Sequence, residues 1–491
     1  MRRPEDSTER DRRSRSAGRG ASAPLHAPPR APRALPFVGH APEFLIDKLG
    51  FLLRCAGQAD VVELRLGRRR TFLLSDPEDI RHVLVTEHHS FTKNERLLNP
   101  VDPELFGDAL VGVSKERHMH KRRALQPVYQ QHHLAGFGEV VERCVEELVE
   151  RWTGQPDVDI VSESVKLAQR IRIRVLLGPG TAAETELPAA LEARQRYIAQ
   201  AFLSPLPHAG RRPSKARRDY RQARRLLEHI LVTEIERRRR TETRGGDLLS
   251  LLVGTPSEHG AAPTDRTAAA EATTFLASYE MSGQALAWTL HLLAEHPEVQ
   301  ARLLPDAERS GDARACAATE PSANVLLGYP QMVCSEALRL YPPSWLFVRI
   351  ALDQVTLPSG PVIPRGARLM LSPYSSHRDA QRFPDPDRFD PERFRAGPAL
   401  RARPRYAYFP FGGGPHVCIG EGFVRMEVAL TITRLARAFE LTSVPGRRVT
   451  PSPRVTLELR GAPRARLSPR STLSTAGDPQ AASCARLPGS P

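Results

Sequence analysis

The segment from Ala268 to His296 is the longest helical candidate in the chain, 29 residues with apolar side chains on most faces. At 1.5 Å per residue it would run roughly 43 Å, enough to cross an entire domain. A helix that is apolar nearly all round has no face to give to solvent, so it must lie at the centre of a structure large enough to cover it. That requirement favours one large helical domain, although 491 residues would also allow several small ones.

The remaining pattern agrees. Phe44 to Leu53 repeats apolar residues at helical spacing, and further helices are expected at about 116–130, 138–153, 157–177, 185–203 and 214–240. Val61–Leu66 and Thr71–Leu74 read as a strand pair around the basic turn Gly67-Arg68-Arg69-Arg70. Asp76-Pro77 then opens a helix, with the aspartate as N-cap and proline at the first helical position. Residues 305–325 carry no period and read as a surface loop. Helix resumes from Tyr329 to Leu340 and stops at Tyr341-Pro342-Pro343, because proline lacks the N–H and clashes with the preceding turn. Short strands follow at 355–357 and 368–371, then a Pro-, Asp- and Phe-rich stretch at 383–394, a last helix at about 420–441 and a closing strand at 455–459. With no internal repeat and no linker between residues 36 and 460, the expectation is a single domain, mostly α with small β-sheets.

The net charge of +15 suggests nucleic acid until the charges are located. Residues 1–35 hold nine Arg and four acids, and residues 443–491 hold eight Arg and two acids, which leaves about +4 for the 407 residues between. Both ends mix Arg with Pro, Ser, Ala and Gly, a composition unable to bury enough apolar area to offset chain entropy. Disordered tails are therefore expected at 1–35 and 461–491, and no nucleic-acid partner, since no binding motif accompanies the charge. No stretch approaches the roughly 18 to 20 unbroken apolar residues of a membrane span, and the start lacks a signal-peptide apolar region. A cytoplasmic protein with no membrane span is expected.

The six cysteines, at 55, 144, 316, 334, 418 and 484, show no zinc-ligand spacing. Five read as small buried hydrophobes. The sixth, Cys418, lies in Phe411-Gly412-Gly413-Gly414-Pro415-His416-Val417-Cys418-Ile419-Gly420, between a glycine-rich loop and the first turn of a helix. Backbone N–H groups at such a place point at the sulfur and favour thiolate over thiol, which suits a metal ligand. A phosphate cradle fits less well, because Pro415, His416 and Val417 occupy the wrong positions for either nucleotide-binding glycine motif.

This segment resembles the heme-binding loop of the cytochrome P450 family, F-x-x-G-x-[RH]-x-C-x-G, through Phe411, Gly414, His416, Cys418 and Gly420. Glu336-Ala337-Leu338-Arg339 is similar to the family's E-x-x-R, Pro391-Glu392-Arg393-Phe394 to P-E-R-F, and His118 to Arg122 to [WH]-x-x-x-R. Ala277-Ser278-Tyr279-Glu280-Met281-Ser282 lies where A-G-x-[DE]-T-[TS] is expected. The order and spacing of these landmarks agree with the family, and the chain looks most similar to its actinobacterial terpene-oxidising members. The resemblance implies the P450 fold, heme b with Cys418 as its axial ligand, and Phe411 and Gly414 shaping the loop. It further implies that His118, Arg122, Arg349 and His416 serve the heme propionates, and that Glu336, Arg339 and Arg393 form a buried structural trio. It implies insertion of one oxygen atom from O₂ into a small hydrophobic substrate. No flavin or iron–sulfur motif is present, so electrons are expected from a separate ferredoxin-type donor and its reductase.

One departure matters. Where the family carries a threonine whose hydroxyl helps the neighbouring acid move protons to the reacting oxygen, this chain has Met281, and a thioether donates no proton. Ser278 also replaces a glycine. Glu280 is then the expected acid, with the hydroxyl supplied by Ser282 if the helix is locally distorted, or by the substrate. Without such a repair Ser282 faces about 100° away from Met281 and bonds a backbone carbonyl. The alternatives are a heme-thiolate isomerase, dehydratase or peroxide-using enzyme of the same fold, or a non-catalytic heme-binding protein.

Overall fold

The computed structural model describes residues 28–67, 69–93, 105–113, 115–203, 214–241, 246–254, 263–304, 328–446 and 448–470. The expected loop at 305–325, residues 1–27 and residues 471–491 lie outside them. The basic turn after Leu66 folds back strand β1 (Val61–Leu66) on β2 (Arg69–Leu74), antiparallel, with Val61 opposite Leu74. Strands β3 (Phe91–Lys93), β4 (Phe347–Ala351) and β5 (Arg368–Leu371) complete a sheet in the order β1-β2-β5-β4-β3. Only β2 and β5 run parallel; β4 is antiparallel to both its neighbours, in a register that sets Lys93 opposite Arg349.

The expected helices appear as α1 (Lys115–Leu125), α2 (Gln131–Trp152), α3 (Ile160–Leu177), α4 (Ala183–Leu203) and α5 (Lys215–Thr241). Residues 157–159 form a strand instead of the first helical turn, and Asp159 then caps α3 by accepting from the Ser162 N–H. The long apolar segment is two helices, α6 (Asp265–Ala277) and α7 (Tyr279–Glu295), broken at Ser278. The Ser278 hydroxyl donates to the Phe275 carbonyl at 2.7 Å and its own N–H points to the same oxygen at 3.1 Å, a local bond that competes with the helical ladder. Apolar periodicity runs straight through this point, which is why the sequence reads as one helix.

α7 is central, as expected. Ala285, Leu286, Ala287, Trp288 and Leu290 are all buried. At Gly283 the backbone of α3 comes so close that a Cβ would lie 3.0 Å from the Val165 Cα, so a side chain there would have to push α3 away. Helices α8 (Tyr329–Leu340) and α9 (Glu421–Ala438) pack into the same core as α2, α3 and α7, and the chain turns to strand at Phe439.

The folded body is longer than 36–460. Ala31 is buried, and Arg464–Pro469 is a strand paired with Asp157–Asp159 and Phe439–Ser443. Its inward residues are only Ala465 and Leu467, set between arginines, a signal too short to stand out in a basic tail. Among the described residues no helix is long and apolar enough to cross a membrane.

The E-x-x-R pair holds this arrangement together. Arg339 donates to Glu336 through Nε at 2.7 Å and Nη2 at 2.9 Å, both side chains fully buried. Its remaining N–H groups reach the carbonyls of His377, Pro386 and Arg388, while Glu336 also accepts from the Asp390 N–H and pairs with Arg393 at 3.3 Å. The expected trio is therefore present, and it fastens residues 377–393 to α8. Glu336→Ala and Arg339→Ala each strand one buried charge, at about 3 to 5 kcal/mol, comparable to the stability of a marginal domain. Neither variant is expected to yield folded protein in a thermal melt by circular dichroism; a normal melting curve for either would contradict this.

Candidate active site

The Cys418 loop is closed by its own backbone: Gly412 donates to Phe409, Val417 to Gly414 and Cys418 to Phe411, each at 3.0 Å. Gly414 takes φ +63°, and a Cβ there would collide with the Leu84 carbonyl, so only glycine fits. The loop is anchored from outside by His377. The Phe409 N–H donates to its Nε2 at 2.9 Å, which leaves the proton on Nδ1, directed at the Arg339 carbonyl at 3.3 Å. Burial holds His377 well below its usual pKa and hence neutral, as this tautomer requires. The Glu336–Arg339 pair is thus linked to the cysteine loop through one imidazole that carried no signal in the sequence.

Cys418 is exposed, whereas Cys55, Cys144 and Cys334 are buried, with thiols pushed up to about 11 by desolvation. Desolvation by the surrounding loop nevertheless raises the Cys418 pKa, against the Gly420 backbone N–H, Arg122 and Arg172, which favour the thiolate. The Gly420 N–H thus acts on the sulfur in the direction expected from the sequence. A coordinated metal removes the thiol proton outright.

Beside this loop sits a set of cations with no carboxylate among them in the described residues. Lys93 and Arg349 face each other across β3 and β4, and burial with mutual repulsion pulls Lys93 down to about 8 and burial pulls Arg349 to about 10. Arg349 donates only to the neighbouring Val348 carbonyl, at 3.1 Å. Arg122 donates through Nη1 to the Val417 carbonyl, directly before the cysteine. His118 places Nδ1 3.1 Å from the Leu110 carbonyl and Nε2 3.2 Å from that of Pro415, and a neutral ring can donate to only one of them. Its ring lies 4.0 Å from that of His416, whose Nδ1 is buried without a partner and whose pKa burial and the cations drive to about 2. Crowded, partly buried cations and an orphaned ring nitrogen suit a dianionic ligand next to an exposed sulfur, and a heme with its two propionates fits them. Phe411, Gly414, Cys418, His118, Arg122, Arg349 and His416 are thus brought together, while Lys93, missed in the sequence, is placed by strand register alone.

The distal residues part company. Glu280 accepts from Gln284 Nε2 at 3.2 Å, and burial raises its carboxyl pKa. Met281 is 38% exposed on a helix otherwise almost wholly buried. Ser282 is buried and turned the other way: it accepts from Arg172 Nη2 at 3.0 Å, donates to the Tyr279 carbonyl at 3.3 Å and lies 3.5 Å from Glu427. Arg172 also pairs with Glu427 at 2.9 Å and donates to Ser278 Oγ at 3.1 Å, so α3, the helix break and α9 are tied at one buried guanidinium. The helix is distorted, as a Ser282 repair requires, but the distortion does not bring Ser282 to Glu280. Nothing in the spacing of Arg172 marks it in the sequence.

Around the loop's Phe409–Gly414 side is a cleft of about 640 Å³, lined also by Arg401, Arg403, Arg405 and Arg425.

Residues 29–466 match the family model for cytochrome P450. The chain is 31% identical to cyclooctatin synthase and 32% identical to cyclooctat-9-en-7-ol 5-monooxygenase, both of Streptomyces melanosporofaciens, over 87% and 85% of its length and 93% and 90% of theirs. It is 30% identical to pentalenene oxygenase of Streptomyces avermitilis, over 86% of this chain and 93% of that one. Among solved structures, the cytochrome P450DA heme domain aligns with a TM-score of 0.77 at 22% identity, over 91% of this chain and 98% of that one. Retinoic acid-bound cyanobacterial CYP120A1 aligns with a TM-score of 0.73 at 22% identity, over 91% of this chain and all of that one. With the cysteine loop, its buried E-x-x-R support and the family match agreeing over the same residues, the chain belongs to the cytochrome P450 family and is a monooxygenase of that family.

Proposed function

We propose that the protein uses heme b to insert one oxygen atom from O₂ into a small hydrophobic, terpenoid-like substrate of secondary metabolism, drawing electrons in the cytoplasm from a ferredoxin-type donor and its reductase. The observation that carries the cofactor assignment is the carboxylate-free cluster of Lys93, Arg122 and Arg349 beside the exposed Cys418. Bound heme supplies the activation of O₂. Cys418 holds the iron, the cations with His118 and His416 hold the propionates, and Phe411 and Gly414 keep the loop shaped around the sulfur. The terpenoid-like class is supported by the relatives named for cyclooctatin and pentalenene. The donor is supported by exposed Arg401 and Arg405 at the cleft beside the loop, which suit an acidic partner.

Proton delivery is assigned to Glu280 acting with a substrate hydroxyl. The position of Met281 gives no donor, and the Ser282 hydroxyl is occupied by Arg172. Ser282 then serves as a support for α7 and not as the proton donor expected from the sequence.

In the reduced protein with carbon monoxide, the red-shifted Soret band of thiolate-ligated heme is expected and is expected to disappear in Cys418→Ser; its survival there, with loss in Cys334→Ser, would place the ligand elsewhere. Product formed per NADPH should rise in Met281→Thr and fall in Glu280→Ala. A raised Glu280 pKa keeps the proton to higher pH, so the yield should be flat below that pKa and drop as pH rises through it. Glu280→Gln should abolish the pH dependence. Unchanged yields in all three variants would remove Glu280 from the reaction.

A further inference from the structure

Six arginines are buried in the described structure: Arg172, Arg194, Arg238, Arg339, Arg349 and Arg425. Four have a carboxylate: Arg172 pairs with Glu427, Arg238 with Glu234, Arg339 with Glu336 and Arg425 with Glu421. Arg349 has none, and it stands in the cluster assigned to the propionates. Arg194 has none either among the described residues, and nothing so far gives it a role.

Arg194 lies on α4, 5% exposed. It donates through Nη2 to the Leu105 carbonyl at 3.3 Å, and its guanidinium carbon is 5.7 Å from the centroid of the Phe106 ring. Leu105, Tyr197, Ile198 and Tyr220 form a small apolar cluster apart from the main core, with Phe106 and Ala201 packed against it. The rings of Tyr197 and Tyr220 stack at 4.3 Å. Burial pulls the Arg194 pKa down, opposed only by the phenols of Tyr220 and Tyr279. Tyr279 opens α7 two residues before the exposed Met281, so the charge lies beside the helix that carries the distal residues.

An uncompensated buried guanidinium lowers stability, and one carbonyl at 3.3 Å satisfies little of a fork with five N–H donors. A buried charge with a perturbed pKa and no carboxylate partner marks a candidate ligand position. We propose that Arg194 binds the carboxylate of a hydrophobic carboxylic acid substrate and so fixes the end of the molecule away from the carbon to be oxidised. A neutral hydroxyl would leave the charge uncompensated; a carboxylate neutralises it and accepts two parallel N–H bonds. The apolar and aromatic walls suit the rest of the molecule. This deepens the reading of a hydrophobic, terpenoid-like substrate and rests on it.

The test is a spectral titration of the heme-loaded full chain, following the shift of the Soret band on substrate binding, with dodecanoic acid against methyl dodecanoate and abietic acid against methyl abietate. The acids should bind at least about tenfold more tightly than their esters. Arg194→Leu should weaken the acids about tenfold or more and leave the esters unchanged, Arg194→Lys should retain part of the preference, and the melting temperature of Arg194→Leu should be equal or higher, since an unpaired buried charge is replaced by an apolar side chain. Equal binding of acid and ester in the wild type, a preference that survives in Arg194→Leu, or a marked fall in its melting temperature would each overturn the proposal. An acid preference in the dodecanoate pair with no shift from either abietane compound would keep Arg194 and remove the terpenoid reading. A normal carbon monoxide band in Arg194→Leu would keep the heme-thiolate assignment whatever the titrations give.

Discussion

The bidentate pair of Arg339 with Glu336 is the contact on which the site depends. Both groups are fully buried, and a pair in that setting contributes only if every remaining N–H and lone pair finds a partner. Here the partners are the carbonyls of His377, Pro386 and Arg388 and the N–H of Asp390, so the pair is satisfied only with that irregular stretch folded around it. His377 then passes the constraint to Phe409, where the cysteine loop begins. Tyr408 adds a second tie, donating to the Ser335 carbonyl at 3.0 Å, and Arg425 a third, donating to the Ser335 hydroxyl at the same distance. The loop is rigid because α8 holds it from behind.

Buried charge divides this protein into two kinds of place. Where a guanidinium meets a carboxylate, as Arg172 meets Glu427, it ties helices together. Where it meets none among the described residues, as at Arg349 and Arg194, burial pulls its pKa down, and an anionic ligand is proposed for each. The same distinction separates Ser282 from Met281: the serine belongs to the Arg172 junction, while the methionine is the residue left facing open space.

The sequence reading reached most of the helices and the central burial of α7, because apolar periodicity over long segments reports packing directly. It also reached the cysteine loop, since glycine, histidine and cysteine at fixed spacing reflect local backbone chemistry around one sulfur. It joined α6 and α7 because a serine hydroxyl bonded three residues back leaves no trace in hydropathy. It ended the domain at 460, before the strand at 464–469, because two inward side chains between arginines are too few to signal burial.

By itself, then, the sequence determined a large helical domain, one cysteine set in a glycine-rich loop and the absence of a hydroxyl at position 281, all properties of residues near one another along the chain. Only the tertiary structure decided which distant groups meet. Lys93 reaches Arg349 through strand register, His377 reaches Phe409 across a loop, and Arg172 takes the serine that the sequence offered to proton transfer. Such pairings depend on desolvation and on distances between elements far apart in sequence, and a chain's local pattern holds neither.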